Sequence, residues 1–478
     1  MSDRRLLRRV LPLAARPVPV PPAAPWMLVL ESTLRDESAG RYSYVAPHPV
    51  ATLMARGRRG VVRDEFGAAR EGDTLALLDE LTDGVARPDD SEDLPWCGGP
   101  AGYFAYDFGR ALERMPAYAR EDLRLADVAL GVYDAVAVAD HAAGTLTLVA
   151  SGWPHAGARA ESAAAVRLDE LEATLTRAAS LPIASLHAVR GIDADLTHDD
   201  YDAAIARLHR AITAGDIYQA NFAQRFRIGG AGGDLRALYA RLRGTSPAPY
   251  AGLFVTPEVA VLSASPELFL RRRGTRVVTR PIKGTRPRGV TPDTDAALAR
   301  ELLASAKDRA EHVMIVDVER NDLGRICEFG SVVTETLAAL ESFPSVHHLT
   351  STISGTLRAN VGCGAMIAAT FPGGSITGAP KLRAMELIEE LEPVRRGVYS
   401  GALGWFGWGG DCELAITIRT LTVQDDVAHL WVGGGIVADS RAEEEYEETL
   451  VKGRSLARAL GVTLNDARRA ALHTARQS

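Results

Sequence analysis

The pattern of apolar and polar residues divides the chain into two stretches. Up to about residue 180, short apolar runs alternate with polar turns: residues 26–30 predict a buried strand, residues 128–149 a hairpin and residues 158–179 an amphipathic helix. A proline-rich segment precedes them, and a polar, irregular segment follows at residues 180–196. The pattern therefore predicts a flexible N-terminal arm (residues 1–25), an N-terminal subdomain (residues 26–195) and a second domain (residues 196–470).

The second stretch opens with a predicted capping box, Thr197 with Asp200, followed by one apolar helical stripe. Runs of adjacent strands then alternate with helices expected near residues 295–317, 362–370, 381–391 and 441–460. Grouped strands of this kind are typical of an antiparallel α+β architecture, whereas a parallel sheet needs a regular strand–helix alternation. The sequence therefore predicts an α+β fold with large, mainly antiparallel sheets.

Composition narrows the function classes. The 478 residues are 46% hydrophobic and 24% charged, and the net charge of −7 does not favour a nucleic-acid partner. The four cysteines are far apart and form no CxxC pair, which argues against a disulfide framework or a structural zinc site. No apolar run approaches the roughly 20 residues that cross a bilayer. We therefore expect a cytoplasmic protein with no membrane partner.

Lys283 is the most informative single residue. It follows an apparent strand, precedes Gly284, and lies 283 − 267 = 16 positions after the lone carboxylate of Glu267. An amine and a carboxyl group delivered from neighbouring strands can act as nucleophile and proton donor on one small substrate. A solvated surface lysine is the alternative interpretation of this pair.

Two acidic pairs add a candidate metal site. Asp308 and Glu311 are spaced i, i+3 on one predicted helix, and Glu445 and Glu448 repeat this spacing on another, which we expect to begin with Ser440 as N-cap. Carboxylates from two helices could converge on Mg²⁺, which takes one or two carboxylates and keeps several waters. Solvated helical faces explain the same spacing.

Glycine-rich segments provide candidate anion contacts. Gly433, Gly434 and Gly435 directly precede the second acidic helix, and consecutive backbone N–H groups can hold an anion. Arg419 ends an apolar strand, where a guanidinium could bind a carboxylate. The segment 371–381 is a second glycine-rich turn, and it leads into a helix near residue 380. Tight turns and a surface arginine are the alternatives.

Together these segments resemble the chorismate-utilising enzyme family. The resemblance covers about residues 197–460 and rests on the residues at 215–221, 265–267, 308–312, 320–324, 371–381, 399–402 and 436–440. Residues 30–32 and 98–107 extend it more loosely into the first half. The resemblance implies two large antiparallel sheets packed as a sandwich, with helices on the outside.

The resemblance also implies a mechanism. Mg²⁺ held by Glu311 and Glu448, with Asp308 and Glu445 reaching it through water, would bind the ring carboxylate of chorismate. Glu267 would protonate the departing hydroxyl while Lys283 adds to the ring. The residues that match substrate contacts of the family are Gly284, Thr285, His348 (with His347 next to it), Thr377, Tyr399, Arg419, Gly433, Gly434, Gly435 and Lys452.

Two positions separate branches of the family. Relatives that add water carry a lysine where this chain has Gln219, so the resemblance implies ammonia as the nucleophile. Members that make anthranilate carry alanine where this chain has Lys283, so it implies 4-amino-4-deoxychorismate, on the route to 4-aminobenzoate and folate. Ammonia would come from glutamine through a separate glutamine amidotransferase subunit, because none of the cysteines has the setting of a glutaminase nucleophile. The alternatives are anthranilate formation and a non-catalytic chorismate-binding subunit.

The first half of the chain carries one further expectation. Residues 30–32 and 246–250 resemble regions that hold tryptophan in some members of the family. A regulatory amino-acid pocket in the N-terminal subdomain is therefore possible, and the sequence leaves open whether it is occupied.

Overall fold

The computed structural model describes residues 5–13, 18–34, 40–180, 189–343 and 346–464. Within these ranges the strands form two sheets of twelve strands each, and all ladders between them are antiparallel. The predicted α+β class with large antiparallel sheets is confirmed.

The first sheet contains, in spatial order, β1 (Leu7–Pro12), β10 (Thr145–Ala150), β9 (Ala135–Asp140), β3 (Tyr42–Ala46), β2 (Leu28–Glu31), β13 (Tyr250–Val255), β14 (Ala260–Ser265), β23 (Thr420–Gln424), β24 (Val427–Ile436), β12 (Gln219–Gly229) and β11 (Gly191–Ala194), with β20 (Gly378–Ala379) paired to β12. The second contains β17 (Ile282–Pro287), β19 (Val346–Thr356), β16 (Arg276–Arg280), β15 (Leu268–Arg273), β22 (Cys412–Ile416), β21 (Ala402–Phe406), β7 (Gly99–Phe104), β8 (Val128–Tyr133), β4 (Ala51–Arg56), β5 (Arg59–Asp64) and β6 (Ala69–Asp73), with β18 (Val333–Ser342) paired to β19.

The helices are α1 (Thr74–Leu81), α2 (Gly109–Leu112), α3 (Gly157–Ser180), α4 (His198–Thr213), α5 (Leu235–Thr245), α6 (Pro292–Ala304), α7 (Ala306–Gly324), α8 (Cys363–Thr370), α9 (Lys381–Leu391) and α10 (Ala442–Leu460). Short 3-10 turns lie at Tyr106–Phe108 and Gly374–Ile376. Among the described residues, no helix is both long enough and apolar enough to span a membrane.

The two sheets pack face to face through a buried aromatic layer. Tyr103 of the second sheet contacts Phe254 of the first, with ring centroids 6.1 Å apart. Gly102 and Gly252 permit this approach, because a Cβ on Gly102 would lie 2.9 Å from the Phe254 ring and one on Gly252 would lie 3.0 Å from Leu403. Helices α3, α4, α5 and α10 cover the outer face of the first sheet, and α1 and α8 cover the second. The core between the sheets and the cores beneath the helices confirm the predicted sandwich with helices on the outside.

Both sheets combine strands from the two halves of the chain. Strand β2 lies between β3 and β13, and β7 lies between β8 and β21. The division into residues 26–195 and 196–470 stays a prediction, and part of its boundary, residues 181–188, lies outside the described residues. Residues 7–12 were predicted as part of a flexible arm, but they form β1, since Arg8 and Arg9 pair with Asp93 and Asp169 at 2.9 Å each.

The predicted start of helix α4 is confirmed. Thr197 accepts from the Asp200 backbone N–H and the Asp200 side chain accepts from the Thr197 N–H, so α4 begins with the predicted capping box. Two other predictions are right only in part. The hairpin predicted over residues 128–149 forms between β9 and β10, with its turn after Asp140, but β8, at the start of this range, belongs to the second sheet. The helix expected at 295–317 is divided into α6 and α7 at Ser305, whose side chain caps α7.

Candidate active site

A cavity of about 400 Å³ lies where β12 and β24 of the first sheet and β17 and β19 of the second meet α7 and α10. The predicted site residues that line it are Glu267, Lys283, Gly284, Thr285, Asp308, Glu311, His348, Tyr399, Arg419, Gly433, Gly435, Glu445, Glu448 and Lys452. Residues more than 180 positions apart in the chain therefore share one pocket.

Lys283 projects from β17, opposite Leu349 of β19. Gly284, directly after it, has φ +81° and lets β17 bulge against α7, because a Cβ there would lie 3.2 Å from Asp308. The amine lies close to the glycine run, since a Cβ on Gly435 would be 3.3 Å from Lys283 Nζ. Burial lowers the pKa of Lys283, while the nearby Glu311 carboxylate opposes this shift. A lowered pKa increases the neutral, nucleophilic fraction of the amine.

Glu267 lies at the start of β15 and is buried, with only 4% of its surface exposed. The Ile282 backbone N–H donates to Glu267 Oε1 at 3.4 Å. Burial raises the pKa of Glu267 to about 7, against the opposing effects of Ser375 and Lys283. A carboxylic acid with a pKa near neutral can carry a proton and release it, as a general acid must.

The four carboxylates come from two helices, as predicted. Asp308 and Glu311 lie on α7, and Glu445 and Glu448 lie on α10. Burial raises the pKa values of Glu311 and Glu445, and each pKa is raised further by a neighbouring carboxylate of the set. This mutual repulsion is what a divalent cation would relieve.

The side chains of this set currently have protein partners. Arg286 contacts Asp308 at 3.1 Å, Lys307 lies 3.9 Å from Glu311, and Lys452 lies 2.6 Å from Glu448. Within the described residues, no group of three or more His, Cys, Asp or Glu side chains is close enough to hold a metal ion. The donors are the oxygen ligands that Mg²⁺ prefers, and they line one pocket, so the set fits the ion in ligand type.

Ser440 does not cap the second acidic helix, contrary to the prediction. The N-cap of α10 is Arg441, without a side-chain cap hydrogen bond, because the helix begins at Ala442. The Ser440 hydroxyl donates instead to Glu445 Oε1 at 2.6 Å. It therefore orients one carboxylate of the pocket.

Cationic and aromatic groups line the opposite part of the pocket. The Arg419 guanidinium makes no hydrogen bond or ion pair with any residue in the described ranges, and burial lowers its pKa. Tyr399 stacks on Trp431, with centroids 5.6 Å apart and planes at 7°. Lys452 Nζ donates to the Gly433 carbonyl oxygen at 3.0 Å. An unpaired, desolvated arginine favours binding of an anion such as a carboxylate.

His348, and not its neighbour His347, faces the pocket. His348 Nδ1 lies 2.8 Å from Thr285 Oγ1, and burial lowers the pKa of His348 to about 4, so the ring is neutral at neutral pH. His347 lies outside the pocket wall, with Nε2 3.0 Å from Asp295 Oδ1. Successive side chains of a strand point to opposite faces, so His348 and His347 lie on opposite sides of β19.

The glycine run lies within strand β24, not in a turn. Gly433, Gly434 and Gly435 pair with β12. A Cβ on Gly435 would lie 2.4 Å from Gln219 Nε2, and one on Gly434 would lie 3.1 Å from Glu445 Oε2. Gly434 does not itself line the cavity, but its missing side chain leaves room for the carboxylate that does.

Besides Gly434, two predicted residues do not reach the pocket wall. Gln219 is fully buried behind Gly435, and neither polar atom of its amide has a hydrogen-bond partner among the described residues. Thr377 is also fully buried, and its hydroxyl donates to the carbonyl oxygens of Gly373 at 2.9 Å and Gly374 at 3.2 Å. Its side chain stabilises the turn, and Ser375 takes the place on the wall.

Among the wall residues that the sequence analysis did not predict, five have polar or aromatic side chains. These are Asn221, Arg286, Lys307, Ser375 and Trp431. Ser375 lies inside the glycine-rich segment already singled out, and Trp431 lies two positions before the glycine run. Proximity to a recognised motif was the available signal, but the direction of each side chain depends on the sheet register.

A second cavity, of about 680 Å³, lies between β2, β3 and β13 of the first sheet and β15, β21 and β22 of the second. It is lined in part by Leu30, Glu31, Ser32 and Tyr250. These residues belong to the two segments for which an amino-acid pocket was expected. Occupation by an amino acid stays a prediction.

Comparisons with known proteins identify the family of the chain. The family model described as chorismate binding enzyme matches residues 32–458. Aminodeoxychorismate synthase component 1 of Klebsiella aerogenes is 39% identical, over 90% of this chain and 92% of that protein. A protein named anthranilate synthase component 1 1 from Haloarcula marismortui is 40% identical, over 90% and 89%. The crystal structure of anthranilate synthase component I from Streptococcus pneumoniae TIGR4 superimposes with a TM-score of 0.75 at 29% identity, covering 88% of this chain and 93% of that one.

Proposed function

Because the chain belongs to the chorismate-binding enzyme family, we propose that it aminates chorismate to 4-amino-4-deoxychorismate. The main observation in support of this proposal is that the Lys283 amine and the Glu267 carboxyl group line one pocket with four further carboxylates. Relatives named aminodeoxychorismate synthase and relatives named anthranilate synthase are about equally identical to this chain, so overall identity does not choose between the products. Lys283 favours the first, since the anthranilate branch is expected to lack this amine.

The proposed reaction has two displacements. The neutral Lys283 amine forms a bond to C2 of the ring as Glu267 protonates the C4 hydroxyl, the ring double bonds shift, and water leaves. Ammonia then bonds to C4, the C2–nitrogen bond to Lys283 breaks, and the amine returns to its free form. The new C4 ammonium group gives one proton back to the Glu267 carboxylate. Chorismate and ammonia thereby give the aminated product and water. Two lower barriers replace one high barrier, which is the advantage of covalent catalysis.

The other wall residues bind and orient the substrate in this proposal. Arg419 and Lys452 would pair with carboxylates of chorismate, and His348 with Thr285 would contact the ring substituents. Glu311 and Glu448 would hold Mg²⁺ directly, with Asp308 and Glu445 behind water. When bound, the ion would neutralise the ring carboxylate, as a hard cation does for an anionic substrate.

We also propose a separate subunit as the source of ammonia. Relatives are named component 1, which is consistent with a partner. All four cysteines of this chain are buried, and burial raises the pKa of Cys97 to about 11, so none has the accessible thiolate that a glutaminase needs. Glutamine would be hydrolysed by a glutamine amidotransferase, in the cytoplasm, on the route to 4-aminobenzoate and folate.

The test is product analysis. The purified chain is incubated with chorismate, Mg²⁺ and ammonium, and the products are separated and identified by mass and NMR. We expect 4-amino-4-deoxychorismate, with no product when Mg²⁺ is chelated. Anthranilate would refute the proposed product and identify the alternative branch. No turnover, in a preparation that still binds chorismate, would support a non-catalytic chorismate-binding subunit.

A further inference from the structure

The glycine-rich turn between α8 and α9 is held rigidly against the pocket. Lys381 Nζ donates to the carbonyl oxygens of Thr370 at 3.1 Å and Pro372 at 2.9 Å, and it pairs with Asp322 at 2.5 Å. Gly374 packs against α7 so closely that a Cβ would lie 2.9 Å from Val318 Cγ1. The position of the next residue, Ser375, is therefore tightly constrained.

Ser375 presents a buried hydroxyl to the pocket. The residue is 4% exposed, and it lines the same cavity as Glu267. Its Oγ makes no hydrogen bond of standard geometry with any atom in the described part of the chain. A buried hydroxyl without a partner costs free energy, so its position requires an explanation.

We propose that Ser375 is a positioning residue for the general acid, whose hydroxyl donates a hydrogen bond to the Glu267 carboxylate that remains after proton transfer. The inference rests on the proposed function, because it takes Glu267 as the acid. While Glu267 still carries its proton, it needs no hydrogen bond from the Ser375 hydroxyl. After transfer, the proton resides on the departing hydroxyl, and the buried carboxylate needs a donor. Ile282 N–H supplies one at 3.4 Å, and Ser375 supplies the second.

The electrostatic surroundings of Glu267 support this role. Within the part of the chain that the structure describes, the ionisable groups that interact with it are the Lys283 amine from β17 and the Glu319 carboxyl from α7. Burial raises the pKa of Glu267, and Ser375 is the strongest of the interactions that lower it, ahead of Lys283. A donor that stabilises only the ionised form makes the acid stronger.

The experiment compares the wild type with Ser375→Ala, with Ser151→Ala as a matched control. Ser151 is a buried serine outside the pocket, whose Oγ accepts from the Trp153 N–H at 3.2 Å. In the first arm, infrared spectra of the free protein are titrated. The Glu267 carboxyl band is identified in each background by subtracting the spectrum of the same protein with Glu267→Gln.

Ser375→Ala should raise the pKa of Glu267, with a decrease of about tenfold in its proton dissociation constant, because a hydrogen bond to a charged group is lost. In the second arm, kcat should fall about 10- to 100-fold with little change in KM for chorismate. The alkaline limb of kcat should move to higher pH. Ser375→Thr, which retains a hydroxyl, should restore part of both effects, and Ser151→Ala should behave as wild type.

Some outcomes would overturn the inference. If the Glu267 band in Ser375→Ala titrates as in the wild type, Ser375 does not donate to the carboxylate. If KM rises while kcat and its alkaline limb stay fixed, Ser375 acts on substrate binding instead. Failure of the proposed function is recognised separately: full turnover by Glu267→Gln would remove Glu267 as the acid, while the infrared arm would still decide whether the hydrogen bond exists.

Discussion

The Nζ atom of Lys452 lies 2.6 Å from Oε1 of Glu448, one helical turn earlier on α10. Because of this contact the pKa of Glu448 is lowered, whereas burial raises the pKa values of Glu311 and Glu445. Glu448 therefore stays ionised more readily than Glu311 or Glu445. In the proposed metal site, Glu448 would be an ionised ligand before the metal ion binds. Lys452 would then leave Glu448 and pair with a carboxylate of the substrate.

We expect Glu448→Gln to remove the stabilisation of the protein by Mg²⁺ and most of its activity. Loss of one direct ligand should reduce kcat about 100-fold or more, since even supporting residues of metal sites contribute 10- to 100-fold. Wild-type protein should be stabilised by Mg²⁺, by about 2.7 kcal/mol at a concentration 100 times the dissociation constant, and the variant should not. Thermal unfolding with and without Mg²⁺ measures this. Glu444→Gln, an exposed carboxylate on the same helix, should keep the stabilisation; an Mg²⁺ response retained by Glu448→Gln would exclude Glu448 as a ligand.

A covalent intermediate should be detectable on Lys283. In the absence of ammonia the second displacement cannot occur, so chorismate should add to the amine and lose water. Mass spectrometry of the digested protein should find the adduct on the peptide containing Lys283 and not on the one containing Lys307, which also lines the pocket. Lys283→Gln should show no adduct and should lose nearly all amination. Undiminished turnover by this variant would remove the covalent step.

Gly433 and Gly435 should respond differently to the same substitution. A Cβ on Gly435 would collide with Gln219 Nε2 at 2.4 Å and approach Lys283 Nζ, whereas a Cβ on Gly433 would collide with the Phe222 carbonyl oxygen at 2.6 Å. Gly435→Ala should therefore lose activity at least about tenfold while it keeps most of its stability, because a side-chain amide can move. Gly433→Ala should lower stability by about 1–3 kcal/mol, the usual cost of overpacking. Urea unfolding and steady-state rates together test the contrast, and equal losses of stability would contradict it.

Glu319 should make folding stability depend on pH. Burial raises the pKa of Glu319 to about 8, from an ordinary value of 4.5, and nearby Glu267 raises it further. Since the folded protein holds this proton more tightly than the unfolded chain, Glu319 contributes stability at low pH that is lost as pH rises from about 4.5 to about 8. Relative to wild type, Glu319→Gln should gain at most about 1.4 kcal/mol per pH unit across this window.

Urea unfolding at several pH values checks the Glu319 prediction. Glutamine retains a group that can accept from the Thr279 hydroxyl, which lies 2.7 Å from Glu319 Oε2, so the fold should be kept. Glu328→Gln, at an exposed position, is the control and should follow the wild type. A constant difference between Glu319→Gln and wild type would show that Glu319 is ionised in the folded protein.

The features predicted correctly from the sequence depend on short-range geometry. The capping box of α4 and the i, i+3 carboxylate pairs on α7 and α10 involve residues within one or two helical turns. The features predicted incorrectly depend on distant partners. Ser440 has the right residue type for a cap, but α10 begins two residues later, and its hydroxyl binds Glu445.

The pocket wall shows the same limit. Thr377 and Ser375 are two positions apart in one motif, and no local pattern says which hydroxyl faces a cavity. Packing of Gly374 against α7 and the hydrogen bonds of Thr377 within the turn determine the answer. Likewise, the alternation over residues 128–149 correctly indicates the β9–β10 hairpin, but no local pattern shows that β8 pairs with β4 and β7 in the second sheet.

The placement of β2 and β7 in the interiors of the sheets limits how the protein can be divided. A fragment that starts near residue 197 would leave one edge of β13 and one edge of β21 unpaired, and exposed, unpaired strand edges recruit other chains. Expression of the chorismate-binding half alone should therefore yield aggregates. Co-expression of the two halves as separate polypeptides could restore the missing ladders, and would give an enzyme assembled by strand complementation.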